Sequence, residues 1–154
     1  MVVYVLALLI GVIAGLRAMT APAAVSWAAF LGLIDLEGTW LAFLGYRFTP
    51  WIMTVLAIGE LIGDQLPTTP SRKTPLPFAA RIIIGGLCGG AIAVQGGSFL
   101  GGLVAGALGG IIGTLGGAEG RARLAAAFGK DRPAALIEDA IAIVGAVLIV
   151  GAVP

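Results

Sequence analysis

Glu60 and Asp64 stand four residues apart in IGELIGDQLP, and Glu138 and Asp139 stand side by side in RPAALIEDAIAI. Both pairs lie in apolar surroundings, where a carboxylate is costly unless it is paired, hydrogen-bonded or protonated. Three chemistries suit such groups: binding a solute or cation, passing a proton, or pairing with arginine. On a helix the i,i+4 spacing puts Glu60 and Asp64 on one face, with Glu60 about 6 Å deeper at 1.5 Å per residue. Arg17, Arg81 and Arg132 flank other apolar runs and are the candidate charge partners. Two readings of this group stay open. One is a buried ring of salt bridges, Arg17 or Arg81 to Glu60 and Asp64, that locks helix ends together. The other is a polar vestibule for a cation, a proton or a lipid headgroup. Glu138 and Asp139 also suit the positive end of a helix opened by Pro133.

The elements that hold these groups are apolar. Of 154 residues, 59% are hydrophobic and 11% are charged, against about 25% charged in a soluble domain. The expected fold is all-α: a polytopic membrane helix bundle forming one domain over 1–154, with no separate soluble part. Six apolar segments are expected at 2–16, 18–34, 50–66, 79–96, 101–117 and 134–153. The N-terminal run has no positively charged leader, so it is read as the first span and not as a cleaved signal peptide. The segment 18–34, with Pro22 near its start, either spans or dips in and returns. The connection 35–49 carries Trp40, Phe43, Leu44, Tyr46 and Phe48 and reads as an interfacial segment with aromatic anchors or a packed outer loop. Pro67 should end segment three, and Pro70, Pro75 and Pro77 should hold the following loop extended.

Cations set the orientation. With six crossings, eight of the nine Lys and Arg residues fall on one side, and Arg47 alone falls on the other. The positive-inside rule makes the basic side cytoplasmic and both termini external, in a bacterial inner membrane. The chain has no histidine and one cysteine, Cys88. That removes the commonest general base, the commonest metal ligand and any intrachain disulfide. No cofactor is expected; the carboxylates admit a bound cation, and the identity of any metal is left open. Net charge is +1, which gives no reason to expect nucleic acid.

Fifteen of the 25 glycines lie between 81 and 120. Gly102, Gly106 and Gly110 form one helical row, and Gly109, Gly113 and Gly117 another; Gly85 with Gly89 and Gly86 with Gly90 repeat the spacing. Such strips let backbones approach closely in lipid. They suit packing within the protomer or in a homo-oligomer, which is expected, or a path for a polar solute.

GLRA at 15–18, GELIGDQLP at 59–67, TPLP followed by Arg81, and RPAALIEDAIAI at 132–143 resemble a bacterial family of small integral membrane proteins catalogued as domain of unknown function 4126. The resemblance spans most of the chain. It marks Arg17, Glu60, Asp64, Pro67, Pro133, Glu138 and Asp139, and supplies no activity. Gln65 departs from it, since the family often has lysine there. An internal echo pairs 11–30 with 110–128 and LIGD with LIED, as an inverted repeat would. The function expected first is a small transporter or channel with the carboxylate and arginine cluster as its site. The alternatives are a membrane enzyme acting on lipid phosphates and a structural or accessory subunit; the enzyme is the less favoured class. Membrane lipid is the expected partner, and the solute or ion is not specified.

Overall fold

A computed structural model describes residues 1–66 and 71–154. The expectations for Pro67 and Pro70 lie outside the described residues. The described residues form six α-helices: α1 Val2–Leu16, α2 Thr20–Phe30, α3 Thr49–Gly63, α4 Pro75–Ala93, α5 Phe99–Phe128 and α6 Asp131–Gly151, with a 3-10 turn at Ala42–Gly45. α4, α5 and α6 are long and apolar enough to cross a membrane, and α1 and α3 are shorter apolar helices.

Side-chain contacts fix the direction of each helix. At one end the Ser98 N–H donates to the Tyr4 hydroxyl oxygen at 3.0 Å, and Gln95 exchanges two hydrogen bonds with the Asp35 backbone. At the other end Arg17 meets Asp64 and Asp139, and Arg81 reaches the last carbonyls of α1. The six helices therefore alternate in direction along the bundle, with both chain ends at the Tyr4 end. Residues 18–34 run from the Arg17 end to the Asp35 end; within the bundle they cross and do not turn back. α2 itself has 11 residues, about 16 Å. A turn through Gly32, at φ +77°, completes the passage.

Most helix boundaries shift by a few residues from expectation, and two of the differences have a clear local cause. Pro75 and Pro77 do not extend a loop; they occupy the first turn of α4 after Thr74, where a missing N–H costs nothing. α5 does not stop at 117. AEGRARLAAAF carries three charges but consists mostly of good helix formers, five of them Ala, so the helix runs 30 residues to Phe128, about 45 Å. It ends where Gly129 takes φ +70°, a conformation that favours glycine.

α1, α4 and α5 pack most closely. A methyl group on Gly102 or Gly106 would collide with the carbonyls of Gly89 and Gly85 on α4, and one on Gly110 would press on the Arg81 backbone. On the other row, Gly109 and Gly113 abut the Leu8 and Val12 carbonyls of α1, and Gly117 abuts the Leu16 side chain. Both rows are thus filled by helices of this same chain, which leaves no solute path along them. Gly86 and Gly90 face Leu103 and the Phe99 ring. In the 35–49 connection Leu36, Leu41 and Leu44 turn inward while Trp40, Phe43, Tyr46 and Phe48 stay exposed.

The echo between segments has no common symmetry. α1 and α5 run in the same direction, whereas α3 and α6 run in opposite directions. No single rotation relates both pairs, so the sequence likeness does not reflect an inverted repeat of three helices.

Candidate functional site

The turn between α1 and α2 organises the charged end. Arg17 leaves the helix with φ −138° and ψ 109°, and α2 starts three residues later. Two helix ends therefore meet within a few residues, one exposing carbonyls and the other exposing N–H groups. Neither has a local cap: Met19, the N-cap of α2, offers no side-chain acceptor. The caps come from other helices. Arg81 of α4 donates to the Gly15 and Leu16 carbonyls at 2.9 and 3.0 Å. Glu60 of α3 accepts from the Ala18 and Met19 N–H groups at 2.8 and 2.7 Å. A cation thus sits at the negative helix end and an anion at the positive one. The two caps also pair with each other at 3.4 Å.

Arg17 is the centre of the cluster and is fully buried. Its Nε donates to Asp139 Oδ1 at 2.6 Å, and its Nη1 pairs with Asp64. Its Nη2 lies 2.5 Å from Asp139 Oδ1 and 4.0 Å from Glu138 Oε2, without the alignment of a hydrogen bond. Gln65 donates to the other Asp139 oxygen at 3.3 Å. Gln65 therefore serves as a neutral donor here.

Two further arginines complete the group. Arg72 makes a two-pronged pair with Glu138, with Nη2 to Oε2 at 3.0 Å. Arg121 lies 3.6 Å from Glu138, donates to the Asp64 carbonyl at 3.2 Å and pairs with Asp131 at 2.6 Å. The structure brings together Arg17, Arg81, Glu60, Asp64, Glu138 and Asp139. It does not bring in Arg132, which is exposed and makes no ion pair with a described residue. Arg72 and Arg121 take the place expected for it, because α6 begins at Asp131 and carries Arg132 on its outer face. Of the glycines, Gly117 borders the cluster: a methyl group there would come within 3.2 Å of Arg72 and 3.5 Å of Glu138. Gly102, Gly106, Gly109, Gly110 and Gly113 lie in the helix contacts already described.

Four arginines thus face four carboxylates in a charge-balanced group whose centre, Arg17, Arg81, Glu138 and Asp139, is buried and whose other members are half-buried. Beside it opens a cleft of about 480 Å³, lined among others by Asp64, Arg72, Arg81, Arg121 and Asp131. Asp64 is the carboxylate that belongs both to the Arg17 group and to the cleft wall. Among the described residues no three His, Cys, Asp or Glu side chains are arranged to hold a metal ion. A second cleft, about 430 Å³, opens at the opposite end beside Asp35, Glu37 and Tyr46. No family model, no curated protein and no solved structure matches this chain.

Proposed function

We propose that this is a small multi-pass inner-membrane protein that moves a small polar solute or ion, and that Asp64 is the gate residue. One observation carries this reading: Asp64 lines the open cleft and also closes the buried cluster through Arg17. A solute entering the cleft meets three guanidinium groups and two carboxylates, then a floor made of ion pairs. Exchanging the Arg17–Asp64 pair for a solute contact would open that floor. The eight cations at this end support its placement in the cytoplasm, with both termini outside. The family resemblance belongs to the same proposal, since GLRA, GELIGDQL and RPAALIEDAIAI are stretches that meet at Arg17.

A second reading is favoured by the matched charges and the helix caps: the cluster is a lock that only holds helix ends. Reconstituted vesicles separate the two. Proton flux is read with an internal pH dye, and entry of small solutes is read by osmotic swelling. Under the gate reading wild-type protein passes protons or one solute class, and Asp64→Asn changes that flux at least ten-fold while the protein stays folded. Asp131→Asn, on the exposed rim, changes it less. Wild-type vesicles as tight as empty ones, or an unchanged flux in folded Asp64→Asn, would leave the lock.

A further inference from the structure

We infer that Arg121 is the first binding site for a small oxyanion, a carboxylate or a phosphate, and that the chain's own Asp131 holds the place of that ligand. This deepens the transport reading and rests on it, because it takes the cleft beside Asp64 as the solute's entrance.

The Arg121–Asp131 pair in the cleft wall has the shape of a ligand complex. Arg121 Nε donates to Asp131 Oδ1 at 3.0 Å, and its Nη2 donates to Oδ2 at 2.6 Å. Two parallel N–H bonds from one guanidinium plane suit any group with two oxygens on one centre, a carboxylate or a phosphate. The two partners are held unequally. The Arg121 side chain is 15% exposed, its Nη2 also donates to the Asp64 carbonyl at 3.2 Å, and its Nη1 lies 3.6 Å from Glu138. The Asp131 side chain is 62% exposed, and Arg121 is its one ion-pair partner among the described residues. When Asp131 turns into water, Arg121 therefore stays in place. Asp131 is also the first residue of α6, so its charge keeps the favourable end of the helix dipole after it lets go.

Charge favours an anion over a cation. Three guanidinium groups line the cleft, those of Arg72, Arg81 and Arg121, against the two carboxylates of Asp64 and Asp131. A cation would need one of those carboxylates. Taking Asp64 removes a partner from Arg17, which is fully buried, and an ionised group deprived of its partner in that setting is costly. Taking Asp131 leaves the enclosed Arg121 short of its partner instead. An anion displaces Asp131 alone, whose exposed pairing contributes little. The lining then carries three positive charges and one negative. Lys130 and Arg132, both exposed, flank Asp131 in sequence and draw anions toward it. Beyond Asp131 the solute meets Asp64 on Arg17, again a carboxylate on a guanidinium. An oxyanion replaces each in turn, oxygen for oxygen, and a cleft of about 480 Å³ suits a small one.

The test is saturation-transfer NMR on detergent-purified protein, with succinate as the probe and inorganic phosphate as the competitor. Wild-type protein should transfer saturation to succinate, phosphate should displace it, and tetramethylammonium should receive none. Arg121→Gln should weaken succinate binding at least about ten-fold, the worth of a charge-assisted pair. Asp131→Asn should do the opposite and tighten it about three-fold, the worth of an exposed ion pair. Tryptophan fluorescence during heating reports whether each variant is folded; if Arg121→Gln does not fold, Asp131→Asn decides alone. Transfer to dioctanoyl phosphatidate but not to succinate, abolished by Arg121→Gln, assigns a lipid headgroup phosphate to the same arginine. No transfer to either oxyanion, transfer to tetramethylammonium, unchanged binding in folded Arg121→Gln, or binding no tighter in folded Asp131→Asn overturns the proposal. Oxyanion binding with vesicles that stay tight would refute transport and leave this site standing, and flux without oxyanion binding would do the reverse.

Discussion

Replacing Glu60 by glutamine should destabilise the fold first and affect transport only as a consequence. Both Glu60 oxygens are engaged, by the Ala18 and Met19 N–H groups at 2.8 and 2.7 Å. Glutamine keeps one acceptor and turns a donor toward the other N–H. The loss is one hydrogen bond to a charged acceptor, about 1.5–3 kcal/mol, together with the helix-end interaction of the carboxylate, about 0.3–1 kcal/mol. The expected total is about 2–4 kcal/mol, or roughly 5–15 °C in Tm for a chain of this size. Tryptophan fluorescence during heating in detergent measures it, and hydrogen exchange should show the Ala18 and Met19 amides losing protection. Arg81 contacts Glu60 at 3.4 Å but gives its best hydrogen bonds to α1. A double-mutant cycle between Glu60→Gln and Arg81→Leu should therefore give a coupling of no more than about 1 kcal/mol. A destabilisation below about 0.5 kcal/mol with both amides still protected would refute the capping role. Loss of flux at unchanged Tm would instead make Glu60 a transport group.

Arg17→Leu should cost about 3–5 kcal/mol, because it leaves Asp64 and Asp139 buried without their common cation; Arg132→Leu should stay within about 0.5 kcal/mol, and equal effects in the same heating assay would contradict the placement of the two arginines. For orientation, a cysteine at Gly97 should react with an impermeant thiol reagent added to intact cells, and one at Lys130 only after permeabilisation. The reverse pattern would invert the proposed topology.

The sequence made the apolar helices and the meeting of the four carboxylates at one end legible, because hydropathy and charge position depend on local composition. Segment 2–16 coincides with α1 since Arg17 ends the apolar run. Other features depended on tertiary partners. Glu60 looked like an unexplained intramembrane charge until the uncapped start of α2 was placed beside it. The signal was weak, since Thr20 is itself a common N-cap type that here lies inside the helix after Met19, and the distant cap could not be assigned from spacing alone. Arg121 was also within reach: it lies four residues after Gly117 and continues the row that faces α1. That inference needed α5 to continue past 117, and the polar stretch concealed this. Arg72 gave no such signal, because its position follows from the path of a loop.

The packing of α3 bears on what the charges do. Of its 15 residues only Pro50 and Ala57 are buried, and its main helical partner is α2. Trp51, Ile52, Val55 and Ile62 lie exposed along it. Apolar contact within the chain therefore holds α3 less firmly than it holds α1, α4 and α5, which meet backbone to backbone. At its basic end α3 is tied by Glu60 to the start of α2 and by Asp64 to Arg17. These ties differ in kind. The Glu60 tie satisfies backbone N–H groups, and breaking it exposes a helix end. The Asp64 tie joins two side chains, and Asp139 remains on Arg17 if Asp64 leaves. Asp64 is thus the contact whose release costs the cluster least, and it is the one that faces the cleft. A lock built only for stability would gain by burying Asp64 as deeply as Arg17. Its side chain is instead 16% exposed, little more than the 12% of Asp139, so what favours a releasable pair at the mouth of the bundle over a permanent staple is that Asp64, and not Asp139 or Glu138, also lines the cleft.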